Sequence, residues 1–170
     1  MLERIWNGWR AQYVGGSNDR EAGGGSVFTR LLASGLSDVE THIVVRGRTT
    51  FAILNAFPYT SGHLMVLPYR EVADLESLEP AEAIELWAMV TDGVRAVKAA
   101  YRPGGVNVGI NLGRAAGGSI SEHLHVHVVP RWNGDGNFMT SVAEARTLPE
   151  PLSESASKLR AAWPRPSIGD

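Results

Sequence analysis

The chain has 170 residues, of which 44% are hydrophobic, enough for one domain with its own core. Its formal net charge of −2 is spread along the sequence, which argues against a protein that binds nucleic acid through the phosphates. The lack of cysteine excludes disulfides and thiolate chemistry, and no apolar run has the length of a signal peptide or a membrane span. We therefore expect a single cytoplasmic domain over residues 1–170 that does not contact membranes.

The first third of the chain contains a glycine-rich segment followed by short apolar runs. Residues 14–26, "VGGSNDREAGGGS", offer few side chains to bury, which predicts a flexible surface loop. The core begins near Thr41 with "THIVVRG", "TTFAILNAFP" and "GHLMVLPYR", which are rich in β-forming residues and separated by turn residues. This pattern predicts three successive antiparallel strands.

Two amphipathic helices are predicted, one long and one shorter. Pro80 opens a run in which apolar residues recur at helical spacing until Pro103. The predicted buried face of this long helix is Ile84, Trp87, Val90 or Thr91, Val94, Val97 and Tyr101. A second helix is expected at about residues 150–163, with Leu152, Leu159 and Trp163 as its apolar members.

Two segments between these helices alternate strictly between apolar and polar residues. They are "GVNVGINLG" at 105–113 and "HLHVHVV" at 123–129. If the two segments pair in one sheet and bury their apolar faces, Asn107, Gly109 and Asn111 share a side with the three histidines. The long connection between the strands contains Gly117-Gly118-Ser119, whose backbone N–H groups and hydroxyl can meet an anion.

Three interpretations of His123, His125 and His127 compete: a metal site, an ordinary half-buried strand and a catalytic face. Residues i and i+4 on a strand lie about 13 Å apart, too far to share one ion. Two of them could still chelate one ion if His42, His63 or a carboxylate supplied the remaining ligands. Histidine is not a favoured strand former, so three at alternate positions favour catalysis over an ordinary strand.

The chemistry that suits these imidazoles is attack on phosphorus. A neutral imidazole whose Nδ1–H donates to a carbonyl keeps Nε2 free as a nucleophile, and the central His125 is the natural candidate. Its neighbours can donate hydrogen bonds to the phosphoryl group. This predicts nucleotidyl transfer through a histidine phosphoramidate.

The sequence resembles the histidine-triad (HIT) nucleotide-binding family. "HLHVHVVPRW" looks like that family's triad, and "GHLMVLPYR", "NVGINLG" and "AGGS" are similar to its other landmarks in the same order, over a core of residues 41–138. Within the family, the head of the chain and the runs "AILNAFPYTSGHLMVLPYR" and "GGSISEHLHVHVVPRWNGDGNF" look most like the actinobacterial diadenosine tetraphosphate phosphorylases. The resemblance implies an α+β fold with an antiparallel sheet, and a homodimer or homotetramer.

The resemblance also implies a role for each site residue. His125 would be adenylylated, His127 and Ser119 would contact the phosphates, and His123 would support its neighbour. The expected substrate-binding residues are Asn55 at the ribose, His63 as a supporting histidine, Asn111, Gly118 and Ser119 at the phosphates, and Trp132 at the distal nucleotide. Asn55 could instead be a plain turn residue, Ser119 part of a simple turn, and Trp132 a residue of an oligomer interface.

The chain departs from many family members at one point, since Ser26 and Thr29 stand where paired cysteines are often associated with zinc. We therefore expect no protein-bound metal or cofactor, and any magnesium to enter with the substrate phosphates. The predicted activity is phosphorolysis of diadenosine tetraphosphate by inorganic phosphate, yielding ADP and ATP. The alternatives are a dinucleoside polyphosphate or nucleoside phosphoramidate hydrolase, and a non-catalytic nucleotide-binding regulator.

Overall fold

A computed structural model describes residues 24–117, 120–136 and 150–164. The helices are α1 (Val27–Ala33), α2 (Asp38–Thr41), α3 (Pro80–Tyr101) and α4 (Leu152–Ala162), and the strands are β1 (Ile43–Arg46), β2 (Thr50–Leu54), β3 (Leu64–Pro68), β4 (Gly105–Ile110) and β5 (Val126–Arg131). Short 3-10 turns lie at Leu75–Ser77 and Arg114–Ala116. Within these described ranges, no helix combines the length and apolar character needed to cross a membrane.

The five strands form one antiparallel sheet in the order β1-β2-β3-β5-β4. β5 inserts between β3 and β4, so the histidine strand has a neighbour on each side. The predicted pairing of the two alternating segments is confirmed: Gly109 lies opposite His127, and Asn107 lies opposite Val129. Since directly opposed residues point to the same side, Asn107 and Gly109 share the histidine face of the sheet, as predicted.

The long helix begins and ends where the sequence predicts. Pro80 occupies its first turn and a capping box links Glu79 and Glu82, while Arg102 ends it in a left-handed conformation with φ 47°. The predicted buried face is wrong at two positions, because Ile84 is 74% and Trp87 47% exposed. The buried face is instead shifted toward Leu86, Met89, Val90, Gly93, Ala96 and Val97.

The shorter C-terminal helix agrees with its prediction. Leu152 and Leu159 are buried, and Trp163 packs against the same core at the helix end. Arg160 joins α4 to β1 by donating through Nε to the Ile43 carbonyl at 3.1 Å, and to α2 by donating through Nη2 to the Asp38 carbonyl at 2.6 Å.

The sheet separates two apolar clusters. The larger cluster lies under α3 and α4 and contains the apolar residues of the histidine segment, Leu124, Val126 and Val128. The smaller cluster lies on the histidine face and comprises Phe28, Ile43, Phe51, Ile53, Met65 and Leu67. The expectation that both alternating strands bury their apolar faces is wrong at Val108, which is 44% exposed because β4 is the edge strand.

The N-terminal helices α1 and α2 were not predicted from the sequence. Most of the predicted loop at 14–26 lies outside the described residues, but Ser26, its last residue, is buried and caps α1 by accepting from Thr29 N–H. Ser37 and Glu40 form a capping box at α2. Phe28 of α1 is buried against the histidine face, so this helix closes one side of the site.

Candidate active site

His125 presents the unprotonated nitrogen that a nucleophile requires. Its Nδ1 lies 2.8 Å from the carbonyl oxygen of His123. Because a carbonyl only accepts, Nδ1 carries the proton, and Nε2 of the neutral ring holds a lone pair. Nε2 makes no hydrogen bond to the described residues. The tautomer predicted from the sequence is therefore the one that the main chain imposes.

His63 and His127 form a relay with a defined proton direction. The Tyr59 main-chain N–H donates to Nδ1 of His63 at 3.1 Å, so the proton of the neutral His63 ring resides on Nε2. His63 Nε2 lies 2.9 Å from Nδ1 of His127, to which it donates. His127 must then carry its own proton on Nε2, a buried atom without a hydrogen-bond partner in the described part of the chain.

Burial keeps these imidazoles neutral. His63 is fully buried, and desolvation, reinforced by repulsion from His127 and His125, lowers its pKa to about 3. Desolvation likewise lowers the pKa of His127 to about 4 and lowers the pKa of His125. At pH 7 the pair therefore consists of a free base on His125 and a neutral N–H donor on His127.

The rings of His125 and His127 are adjacent. Their centroids lie 4.8 Å apart at an interplanar angle of 80°. The ring that holds the lone pair and the ring that holds the unpartnered N–H are therefore neighbours. An orphaned buried donor is costly unless a ligand accepts from it, so the N–H of His127 beside the His125 ring is a candidate contact for an anion.

His123 makes contacts, with Ser26, Phe28 and Pro68, that the sequence did not predict. Its Nε2 donates to the Pro68 carbonyl at 2.9 Å, and its Nδ1 lies 2.7 Å from Ser26 Oγ. The Phe28 ring meets His123 edge-on with centroids 5.4 Å apart. The sequence "SVFTRLL" identifies Ser26 as a candidate helix cap. No local pattern in the sequence indicates that Ser26 also contacts His123, which is 97 residues away along the chain.

The remaining predicted site residues differ in how close they lie to the histidines. Asn55 accepts from Phe57 N–H at 2.8 Å as in an Asx turn, while its Nδ2 lies 3.4 Å from His63 Nδ1. Asn111 follows β4 and is half-buried. Trp132 packs edge-on against Tyr101 at 6.3 Å and is not in ring contact with the triad. Gly118 and Ser119 lie outside the described residues, so their phosphate roles stay predictions.

The described residues contain no cluster of three or more histidine, aspartate or glutamate side chains arranged to hold a metal ion. The histidines are instead engaged by hydrogen bonds to carbonyls, a hydroxyl and each other. This arrangement suits a phosphoryl ligand better than a metal ion. The two ring nitrogens of the triad without a hydrogen-bond partner among the described residues are a lone pair on His125 Nε2 and an N–H on His127 Nε2.

Comparison with known proteins places this arrangement in a family. The family model of the HIT domain matches residues 37–134, which include the relay and the whole triad. The chain belongs to the HIT family. HIT membership agrees with the solved structures: a zinc-bound histidine triad family protein from Mycobacterium smegmatis superposes with a TM-score of 0.65 and 30% identity, covering 81% of this chain and 91% of that one.

Two HIT relatives carry names that describe an activity. A protein of Mycobacterium tuberculosis named AP-4-A phosphorylase is 43% identical over 170 residues, covering 97% of this chain and 86% of its own length. A Schizosaccharomyces pombe protein named asymmetrical bis(5'-nucleosyl)-tetraphosphatase is 31% identical over 97 residues, covering 57% of this chain and 53% of its own length. The names are those of enzymes that process dinucleoside polyphosphates.

Proposed function

We propose that this protein is a diadenosine tetraphosphate phosphorylase that acts through an adenylyl group on His125. The observation that carries the proposal is the pairing of a lone pair on His125 Nε2 with a buried N–H on His127, each set by hydrogen bonds. The similarity over 97% of the chain to a protein named AP-4-A phosphorylase supports the choice of substrate.

In the first step, His125 Nε2 attacks the α-phosphorus of the substrate. An N–P bond forms, the bond from phosphorus to the bridging oxygen breaks, and ATP leaves while AMP stays on the histidine. The His127 N–H donates to a phosphoryl oxygen, where charge must be stabilised. Additional donors from Asn111, Gly118 and Ser119 and a ribose contact from Asn55 are part of the proposal, and magnesium would enter with the substrate phosphates.

In the second step, inorganic phosphate attacks the adenylyl group, ADP forms and His125 is released. Water at about 55 M competes with phosphate at about 1 mM, so the site must favour phosphate roughly fifty-thousand-fold, or by about 6.5 kcal/mol, for the two to react equally often. The candidate donors are Arg114 and the residues from Gly117 to Ser121, on the connection between β4 and β5. The proposal therefore requires this connection to hold phosphate in line with the N–P bond.

The test is product analysis with diadenosine tetraphosphate, in the presence and absence of phosphate. We expect ADP and ATP, label from radioactive phosphate in the β position of ADP, and much slower turnover without phosphate. Formation of AMP and ATP at a rate indifferent to phosphate would refute phosphorolysis and support the hydrolase alternative, which the tetraphosphatase relative favours. Nucleotide binding without release of labelled products would indicate the regulator.

We further propose that the protein forms a homodimer or homotetramer through the edge of the sheet. Val108 on β4 and Leu112 after it are 44% and 42% exposed, and a groove of about 510 Å³ between α3 and β4 is lined partly by Val94 and Val106. Covering these apolar groups favours self-association. Sedimentation analysis should show a dimer or a larger oligomer, and Val108→Glu should weaken the association. A wild-type monomer at micromolar concentration would contradict the proposed oligomer.

The cytoplasmic location stays a prediction.

A further inference from the structure

The ring of His123 is held on both sides although it does not face the reacting group. Its Nε2–H donates to the Pro68 carbonyl at 2.9 Å, so Nδ1 of the neutral ring is an acceptor. Ser26 Oγ lies 2.7 Å from that Nδ1, and its hydroxyl therefore donates. Burial lowers the pKa of His123, which keeps the ring in this neutral form. The ring is fully buried, so neither hydrogen bond can be replaced by solvent without movement.

The peptide unit that follows His123 sets the orientation of the nucleophile. Its carbonyl accepts the Nδ1–H of His125 at 2.8 Å, and its N–H, on Leu124, donates to the Val72 carbonyl at 2.6 Å. β5 begins only at Val126, after this peptide. The plane of the peptide thus depends on the Val72 contact and on the anchored His123 ring rather than on the sheet ladder.

Glu71 holds Ser26 in place. Its Oε2 accepts from Ser26 N–H at 2.7 Å and from Thr29 Oγ1 at 2.6 Å. These hydrogen bonds, with that from Thr29 the stronger influence, lower the pKa of Glu71, which is ionised at neutral pH. Because Glu71 is next to Val72, the same short segment anchors both Ser26 and the peptide after His123.

We propose that Ser26, held by Glu71, is a positioning residue that aims the nucleophile through the ring and carbonyl of His123. This inference rests on the proposed role of His125 as nucleophile. Ser26 touches no reacting atom. Its hydroxyl fixes the His123 ring, the ring fixes the adjoining peptide, and the carbonyl of that peptide fixes the tautomer and direction of His125.

The first test compares Ser26→Ala with Ser26→Thr and with Ser37→Ala. Ser26 and Ser37 are both N-caps of short helices, so their alanine variants lose the same kind of cap, but only Ser26 reaches the triad. We expect Ser26→Ala to lower kcat by roughly ten- to a hundredfold with KM nearly unchanged, since a misaimed group slows chemistry more than binding. Ser26→Thr, which keeps the hydroxyl, should recover most of kcat, and Ser37→Ala should keep wild-type kcat.

The second test reads the His125 ring directly and does not depend on turnover. Nitrogen-15 NMR of labelled histidine should show wild-type His125 protonated on Nδ1, and Ser26→Ala should add the Nε2–H tautomer. A wild-type protein that turns over none of the substrates would refute the proposed function, while the NMR comparison would still decide the role of Ser26. Wild-type kcat and an unchanged His125 spectrum in Ser26→Ala would overturn the inference, as would an equal fall of kcat in Ser37→Ala.

Discussion

The protein should lose stability between pH 7 and pH 5, mainly because two buried histidines stay neutral in the folded chain. His63 and His127 have pKa values of about 3 and about 4 in the folded chain, against 6.5 for a free imidazole. Because these folded pKa values are lowered, the unfolded chain binds more protons below pH 6.5. The stabilisation is complete above that pH and is lost as the pH falls toward 4 and then 3.

The expected loss of folding free energy depends on how far the pH lies below the pKa of an imidazole in the unfolded chain. At pH 5 an unfolded imidazole is almost fully protonated while the folded rings stay neutral, so each ring contributes roughly 2 kcal/mol less than above pH 7. Two rings together remove about 4 kcal/mol from a total of typically 5–15 kcal/mol. The Glu82 carboxylate, whose pKa is lowered from 4.5 chiefly by its hydrogen bond from Arg70, loses its contribution only at more acidic pH.

Urea unfolding at pH 7, 6 and 5 measures this loss directly. His63→Gln provides the matched variant, because its amide N–H₂ can replace the donor to His127 while removing one titrating ring. We expect the variant to be less stable at pH 7 but to lose about 2 kcal/mol less than wild type on going to pH 5. A wild-type free energy of unfolding that stays constant between pH 7 and pH 5 would refute the reasoning, and so would equal pH dependence in the two proteins.

Three other predictions concern the nucleophile, a turn and the metal content. His125→Asn should lower kcat at least about a thousandfold while calorimetry still detects AMP binding; a tenth of the wild-type activity would remove His125 from its role. Gly62→Ala adds a Cβ 2.5 Å from Tyr101 Cε2 at a φ of +77°, whereas Gly35 has a similar φ of +74° and open space around it. Thermal unfolding should therefore show Gly62→Ala about 2 kcal/mol or more less stable than Gly35→Ala, and equal effects would contradict the contact with Tyr101. Elemental analysis should find no stoichiometric zinc, and one zinc per chain would overturn that expectation.

The helices and strands were predictable where apolar residues recur at a regular spacing and where proline or glycine marks the ends. Pro80 and Pro103 bracket α3, and the alternating segments became β4 and β5. The buried side of α3 was less predictable, since Trp87 fits the helical period but lies outside the main core. The apolar character of Val108 likewise could not reveal that β4 is an edge strand, because strand order depends on pairings distant in sequence.

The sequence singled out His125 as the candidate nucleophile, but it did not reveal the contacts that hold this residue. His125 stood out because a strand rarely carries three alternate histidines. The alternation placed the three histidines on one polar side of the sheet, but it did not reveal that they are buried or that Phe28 of the unpredicted helix α1 packs against His123 and His125. The contact between Ser26 and His123 spans 97 residues of sequence, and no local pattern encodes such a distance.

The direction of the proton in the His63–His127 relay depends on a main-chain N–H, that of Tyr59. Every amino acid except proline supplies this group. Evolution can therefore exchange the side chain at this position without reversing the tautomers, as long as the turn keeps its path. The identity of the side chain at this position would then say little about its role, because the backbone governs which nitrogen of His127 carries the proton. In this fold, the tautomers of two buried histidines are set by the path of a loop rather than by the identity of a residue.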